Sequence, residues 1–305
     1  MKPAFSTVAC PDWTLDRVAE SAEHVGAMGV ELRTFGSGST EFASDPALIS
    51  SEKLRMLFGW AGVTPCCLAT SIAFDETIFP PVIGQVISDT ERSVREAKSA
   101  IDLAQSIECP FVRVFGFEYH GSENRANANG RIINRLSKVV DHCRNKGVRL
   151  VIENGGSFAT AAALSELLDL VPDTLLGVAY NLTVAKAAGE SIENGLNVLG
   201  DRLLLAKMKD LKDGRPCALG SGDHDAAGAI AALAASGFRG YLIYEYDRAW
   251  LDMLPPPPAQ GVRKPGLKPV QLPDALEVLK TSMKFMYERL GAAEPVRKPR
   301  PAQRV

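Results

Sequence analysis

Eight short apolar runs alternate with longer amphipathic segments along most of this 305-residue chain. The runs are rich in β-branched and aromatic residues, as expected for strands that are buried on both faces. Between them, apolar residues recur at the three- and four-residue spacing of a helix. The runs occupy residues 5–9, 30–32, 63–69, 111–115, 150–153, 175–180, 202–208 and 241–244. This alternation predicts a closed (β/α)8 barrel, an α/β fold of parallel strands joined by helices.

A doubly wound open sheet is the alternative arrangement of the same elements. It is disfavoured because no G-x-G-x-x-G follows the first strand and the chain has no P-loop sequence. After the eighth run, a Pro- and Gly-rich stretch over residues 254–271 predicts an extended loop, and a helical pattern then reaches residue 290. We therefore predict one barrel domain over residues 1–290, closed by this helix, and a disordered basic tail over residues 291–305.

The composition narrows the class of protein. The chain is 46% hydrophobic and 23% charged with a formal net charge of -2, so it lacks the positive field of a nucleic-acid-binding protein. No apolar run reaches membrane-spanning length, and the N-terminus lacks the apolar segment of a signal peptide. The six cysteines form no C-x-x-C pair, so reduced thiols are expected. These features predict a cytoplasmic protein without nucleic-acid or membrane partners.

The most informative strand end lies in Arg149–Gly156, which reads R-L-V-I-E-N-G-G. Glu153 follows three apolar residues directly, and an Asn-Gly-Gly sequence then ends the strand. A carboxylate at the end of a buried strand is costly unless it is paired or hydrogen-bonded. Charged side chains at strand C-termini are also where α/β barrels place their chemistry. The stretch therefore fits either a catalytic glutamate or a salt-bridged glutamate at the barrel rim.

Polar side chains stand at the ends of the last four predicted strands, each about one β/α unit apart. They are Glu153, Asn181, Lys207 and Glu245. Because consecutive strand ends converge on one mouth of a barrel, these side chains are expected to share a cavity. Two carboxylates that face a bound molecule can move a proton on and off a carbon next to a carbonyl group. Glu31, on the second strand, is expected to orient these groups or to pair with Arg33.

Further stretches support this arrangement by their order along the chain between Phe5 and Glu245. They are Gly29–Arg33, Val112–Val114, Leu150–Gly156, Lys207–Asp210, Gly220–Asp225 and Gly237–Tyr241. In joint order and spacing they resemble the sugar phosphate isomerase/epimerase family, the xylose-isomerase-like TIM barrels that include ketose 3-epimerases, hydroxypyruvate isomerase and inosose dehydratase. The resemblance implies an isomerase or epimerase of carbohydrate metabolism that acts on a small sugar or keto-sugar, and it is compatible with a homodimer.

In that family a divalent metal is held by Glu, Asp, His and Glu at the ends of strands five to eight, and the two glutamates act as acid and base. The resemblance places these glutamates at Glu153 and Glu245, the Asp position at Asn181 and the His position at Lys207. An ammonium has no lone pair for a metal, so a degenerate site is expected. A divalent ion such as Mn²⁺, Mg²⁺ or Zn²⁺ would keep only Glu153, Asn181 and Glu245. Our hypothesis is that Lys207 replaces the metal and stabilises an enediolate oxygen.

Several alternatives stay open. Lys207 could instead act as a Schiff-base nucleophile, which needs a lowered pKa that two nearby carboxylates oppose. The same glutamates could drive β-elimination from a keto-sugar, which would make the protein a lyase. The Glu-Lys-Glu set could also be a buried ionic network in a catalytically inactive sugar-binding barrel. A DNA-repair nuclease of the same superfamily is disfavoured, because it needs many His and Asp ligands and the chain has four histidines.

Besides Asn181, four more residues are predicted to contact the substrate. They are Arg113, Lys209, His224 and Trp13. Arg113 ends the fourth strand and Lys209 shares the face of Lys207 by strand alternation, so either could bind a hydroxyl-rich or anionic substrate or form a rim salt bridge. His224 lies in a Gly-rich turn, and Trp13 follows the first strand and offers an apolar wall for a sugar ring.

Overall fold

The computed structural model describes residues 1–35, 42–77, 91–115, 117–121, 123–251 and 273–291. Its strands are β1 (Lys2–Ser6), β2 (Gly29–Arg33), β3 (Thr64–Ala69), β4 (Phe111–Val114), β5 (Arg149–Glu153), β6 (Leu176–Asn181), β7 (Leu203–Met208), β8 (Asp210–Lys212), β9 (Arg215–Cys217) and β10 (Tyr241–Tyr244). Eight of them form a closed parallel barrel in the order β1-β10-β7-β6-β5-β4-β3-β2. The strands β8 and β9 form a separate antiparallel hairpin. The predicted (β/α)8 barrel is confirmed.

Helices lie between successive barrel strands along the chain, and two more follow the last strand. They are α1 (Leu15–His24), α2 (Ser51–Ala61), α3 (Arg92–Ser106), α4 (Arg125–Cys143), α5 (Ala161–Asp169), α6 (Leu182–Ala187), α7 (Ile192–Leu199), α8 (Ala226–Ala235), α9 (Arg248–Leu251) and α10 (Ala275–Leu290). The closing helix α10 is the predicted C-terminal helix; Asp274 caps its start and Gly291, with φ 60°, ends it. The predicted loop over 254–271 lies outside the described residues, as does the predicted tail beyond Gly291. Within the described part of the chain, no helix is both long and apolar enough to cross a membrane.

The first strand begins and ends earlier than its apolar run predicts. The strand is Lys2–Ser6 rather than residues 5–9, and Thr7–Ala9 forms a 3-10 turn. The Thr7 carbonyl closes the turn by accepting the Cys10 N–H at 3.0 Å, and Thr7 Oγ1 ties the turn to β2 by accepting the Arg33 N–H at 2.9 Å. The apolar run therefore crosses from the barrel wall into the loop above it.

The barrel interior consists of a small apolar layer below a polar one. The apolar layer is a cluster that contains Ala4, Cys66, Cys67, Val151, Ala179, Leu205, Tyr241 and Ile243. Because side chains alternate along a strand, residues two positions further on also point inward. In β5, β6 and β7 these next inward residues are Glu153, Asn181 and Lys207, and after β10 the next is Glu245. The polar side chains thus lie at the C-terminal mouth of the barrel, directly above the apolar layer.

Candidate active site at the barrel mouth

The ammonium of Lys207 lies at the centre of three carboxylates. Its Nζ is 2.7 Å from Glu245 Oε1 and 2.8 Å from Glu153 Oε2. Glu31 Oε1 is 3.2 Å away but is too poorly aligned for a hydrogen bond. Burial lowers the pKa of Lys207, but the three carboxylates outweigh burial and raise it well above its ordinary value. The lysine is therefore charged, which works against the Schiff-base alternative because that reaction needs a neutral amine.

Glu153 is held by two cations and one amide. Its Oε2 lies 2.8 Å from Lys207 Nζ and 3.1 Å from Arg113 Nε, and its Oε1 accepts a hydrogen bond from Asn181 Nδ2 at 3.0 Å. Burial raises the pKa of this carboxyl, but Lys207 and Arg113 outweigh burial and lower it to about 2. Glu153 is therefore an ionised and weakly basic carboxylate.

Glu245 has fewer cationic contacts than Glu153. Its Oε1 contacts Lys207 Nζ, and its Oε2 accepts a hydrogen bond from Asn181 Nδ2 at 3.0 Å. The side chains of Glu245 and Glu153 keep 8% and 5% of their surface exposed, whereas the side chain of Lys207 keeps none. The two carboxylates thus face the mouth of the barrel, and the ammonium lies enclosed behind them.

The orientation of Asn181 decides whether this site fits a divalent metal. Its Nδ2 donates to both glutamates, and its Oδ1 accepts the Val184 N–H at 3.3 Å because Asn181 caps helix α6. These partners fix the amide, since two carboxylates require a donor and a backbone N–H requires an acceptor. The amide oxygen that could bind a metal is therefore directed away from the carboxylates.

The residues that the resemblance places at metal-ligand positions do not fit a divalent ion. An ammonium sits between the two glutamates, and the amide presents nitrogen where a ligand oxygen would be needed. In the described ranges, no group of three or more His, Cys, Asp or Glu side chains is arranged to hold a metal. The donor chemistry favours a resident lysine charge at this point of the barrel.

We expect the protein to take up no Mn²⁺ when it is purified without chelator and then given excess Mn²⁺. The double variant Asn181→Asp, Lys207→His should gain Mn²⁺ binding, because it supplies a carboxylate and an imidazole where an amide N–H and an ammonium now stand. Elemental analysis of metal per chain measures both, and Lys280→His on the exposed side of α10 is the control. Stoichiometric Mn²⁺ on the unmodified protein would show that Glu153, Asn181 and Glu245 suffice as ligands.

Two buried arginines adjoin the glutamates. Arg113, near the end of β4, and Arg33, at the end of β2, both donate from Nη1 to the carbonyl oxygen of Thr70, at 2.7 Å and 2.9 Å. Burial and the positive charge of Arg113 lower the pKa of Arg33 to about 10. Burial also lowers the pKa of Arg113, but Glu153, Glu31 and Glu245 outweigh it and raise that pKa. The sequence predicts Arg113 as a substrate contact, whereas it indicates Arg33 only as a partner for Glu31.

Lys209 lies at the rim, one inward position beyond Lys207. Its Nζ pairs with Asp247 Oδ2 at 2.7 Å, and Asp247 stands two residues after Glu245. Burial lowers the pKa of Lys209, but Glu245 and Asp247 outweigh burial and raise it. The rim salt bridge is thus present, while the substrate contact of Lys209 stays a prediction. Asp247 is not among the predicted site residues, although the two-residue strand period that links Lys207 to Lys209 also links Glu245 to Asp247.

His224 and Trp13 are not joined to the glutamates by any contact within the described residues. The His224 N–H donates to Asp210 Oδ1 at 3.2 Å, and the buried carboxylate of Asp210 also accepts the N–H groups of Gly220 and Gly222. The Trp13 side chain is buried, with the guanidinium carbon of Arg17 4.2 Å from its ring centroid. The substrate contacts of His224 and Trp13 therefore stay predictions.

The closed (β/α)8 barrel, with ionisable side chains at the C-terminal ends of its strands, places this protein among the TIM barrels. The particular family follows from the sequence: residues 18–280 match the family of xylose isomerase-like TIM barrels, and the chain belongs to that family. No curated protein sequence matches the chain.

Solved structures of similar fold share little sequence with this chain. An L-ribulose 3-epimerase has a TM-score of 0.74 at 14% identity, with 95% of this chain and 94% of that chain covered. The IOLI protein, whose crystal structure contains a zinc atom, has a TM-score of 0.72 at 17% identity, with coverage of 95% and 98%. A probable 3-DHS dehydratase, AsbF from Bacillus anthracis, has a TM-score of 0.70 at 13% identity, with coverage of 94% and 98%. At these identities the likeness concerns the fold alone.

Proposed function

We propose that this protein is an isomerase or epimerase that moves a proton next to the carbonyl group of a small sugar or keto-sugar, without a divalent metal. The observation that carries the proposal is the pair of carboxylates, Glu153 and Glu245, that face the mouth of the barrel on either side of one buried ammonium. The similarity in fold to an L-ribulose 3-epimerase supports the substrate class. General acid–base chemistry at a carbon next to a carbonyl needs this set of groups.

Glu245 is the better first base of the two. It contacts one cation, whereas Glu153 contacts two, and contact with cations weakens a carboxylate as a proton acceptor. Glu245 takes the proton, and the electrons of the broken C–H bond pass into the enediolate of the substrate. Return of the proton by Glu245 to the neighbouring carbon, with transfer of the hydroxyl proton to the former carbonyl oxygen, completes isomerisation. Epimerisation needs a proton on the opposite face of the original carbon. Because Glu153 is ionised, it first accepts a proton from a substrate hydroxyl group and passes it to that carbon, and the hydroxyl oxygen recovers its proton from Glu245.

Lys207 supplies the positive charge that this sequence of steps requires. The enediolate carries one negative charge more than the substrate, and a buried cation stabilises such charge strongly because water is excluded. In this structure Nζ is enclosed behind the carboxylates, so the ammonium acts across them. Direct contact of Lys207 with an enediolate oxygen requires Nζ to leave one carboxylate. Glu245 is the one it would leave, because Glu245 loses its negative charge when it takes the proton.

A lyase is the second candidate. Its reaction begins with the same proton abstraction and continues with loss of a leaving group from the β carbon, so the same residues serve both. The similarity in fold to a probable 3-DHS dehydratase favours keeping this candidate. The two reactions differ in their products, because elimination creates a conjugated double bond and isomerisation does not.

Solvent-deuterium exchange tests the proposal. The chelator-treated protein is incubated in D₂O with a panel of ketoses, aldoses and keto-sugars, and NMR follows both exchange and products. We expect exchange next to the carbonyl group of at least one sugar, with no requirement for added metal. An isomer or epimer identifies the first candidate, and a conjugated product identifies the lyase. Absence of exchange across the panel would favour the inactive sugar-binding barrel, and exchange that depends on added metal would remove the role given to Lys207.

A further inference from the structure

Two arginine side chains meet beside the glutamates, at the ends of β2 and β4. We propose that Arg33 and Arg113 form a subsite for a carboxylate group, and that the substrate is therefore an acidic sugar, a uronate or sugar keto acid, rather than a neutral one. The identity of the reacting sugar class rests on the proposed function above. The subsite itself is a statement about binding and is tested without turnover.

The geometry of the pair is fixed by the end of β3. The Thr70 carbonyl accepts from both guanidiniums, and Thr70 Oγ1 donates back to the Arg113 carbonyl at 2.8 Å. Arg33 also donates from Nη2 to Ser71 Oγ at 2.7 Å. The shared carbonyl holds two planar guanidiniums close together, with Glu153 beside the Nε edge of Arg113, and the forked Nη donors of a guanidinium suit a carboxylate. A neutral sugar does not require a second guanidinium at this place.

Arg113 has more hydrogen-bond donors than it uses within the described part of the chain. A guanidinium has five N–H donors, and Arg113 forms one hydrogen bond to the described part of the chain, from Nη1 to the Thr70 carbonyl. Its Nε lies 3.1 Å from Glu153 Oε2 without hydrogen-bond alignment. The side chain is only 3% exposed, so little water reaches the remaining donors. Among these donors, Nε is buried without a hydrogen-bond partner, and a ligand carboxylate would provide acceptors for the Nη donors that Thr70 does not use.

Repulsion between the positive charges of Arg33 and Arg113 also supports an anion subsite. Arg113 contributes to lowering the pKa of Arg33, which means that the two positive charges are close enough to repel each other in this buried place. An anion between them would reverse this repulsion into attraction for both groups. The reacting carbons of the sugar would then lie over Glu153 and Glu245, because Arg113 also contacts Glu153. The carboxylate would thus set the position of the carbon that loses its proton.

Binding of D-gluconate and D-glucitol tests the subsite, because the two differ only in whether the terminal group is a carboxylate or a hydroxymethyl. Calorimetry should show at least tenfold tighter binding of gluconate to the unmodified protein. This preference should vanish in Arg113→Gln and shrink in Arg33→Gln, with Arg215→Gln on the exposed hairpin as the control. If a glutamine variant does not fold, Arg113→Lys keeps the charge, loses the fork and should keep part of the preference.

Equal affinity for gluconate and glucitol, or an equal loss of both in Arg113→Gln, would overturn the inference. D-glucitol 6-phosphate is the third ligand, and tighter binding of it than of gluconate would assign the subsite to phosphate instead. The outcome is separable from the proposed function. Selective gluconate binding without any sugar exchange would support the subsite and contradict the proposed function. Exchange of neutral ketoses without a preference for gluconate would support the proposed function and contradict the subsite.

Discussion

Replacing Glu245 with glutamine should lower the rate of deuterium exchange into the substrate by about 10²–10⁴-fold, the range for loss of a general acid–base group. Glutamine has nearly the shape of glutamate, so a side-chain oxygen can still accept the hydrogen bond from Asn181 Nδ2. It cannot accept a proton from carbon, and therefore the first step of the proposed reaction stops. The effect should lie in kcat rather than in KM, because the missing interaction belongs to the transition state.

The companion variant Glu153→Gln separates the two steps. Because Glu245 is proposed as the first base, exchange should persist in this variant, whereas conversion to an epimer should fall by a similar factor if Glu153 delivers the second proton. NMR in D₂O records both quantities on one sample, and Glu277→Gln on the exposed face of α10 is the control. Full exchange activity in Glu245→Gln would remove Glu245 from the mechanism. Loss of deuterium exchange in Glu153→Gln alone would mean that Glu153, and not Glu245, is the first base.

The barrel and the four polar strand ends could be predicted from the sequence because both follow from local periodicity. Alternation of strands and helices fixes the fold class, and one polar residue per β/α unit places Glu153, Asn181, Lys207 and Glu245 on one mouth. The mutual distances of these groups did not follow from the pattern. They depend on the register between neighbouring strands, which sets Asn181 beside Lys207 and Lys207 beside Ile243.

The rest of the site depends on contacts that join distant parts of the chain. Arg33 and Arg113 are brought together by a single carbonyl oxygen at Thr70, and no spacing in the sequence records a shared backbone acceptor. The direction of the Asn181 amide depends on helix α6, which begins at the next residue and was not predicted. Glu31 was expected to orient the site or to pair with Arg33. Its contact with Lys207 depends on how β2 pairs in the closed barrel, which the sequence pattern does not specify.

Replacing Lys207 with methionine should destabilise the folded protein by about 3–5 kcal/mol at neutral pH, the usual cost of removing one partner from a buried ion pair. The variant would leave three buried carboxylates, those of Glu31, Glu153 and Glu245, facing the place of the lost ammonium. Methionine fills a similar volume, so the loss of charge rather than a cavity should dominate. Urea unfolding measures the change, and Lys280→Met on the exposed side of α10 should be nearly neutral.

The pH dependence distinguishes this charge effect from a packing effect. In the unmodified protein the pKa of Glu153 is lowered from 4.5 to about 2, so its stabilisation is present above pH 4.5 and is lost as the pH falls toward 2. Without the ammonium, three buried carboxylates would repel one another, so the folded variant should bind protons at this cluster more readily than the unfolded chain does. The variant should then gain stability as the pH falls from 7.5 to 5, because the carboxylates take up protons in the folded state. A difference in unfolding free energy that stays constant between those two pH values would mean that Lys207 contributes packing rather than charge.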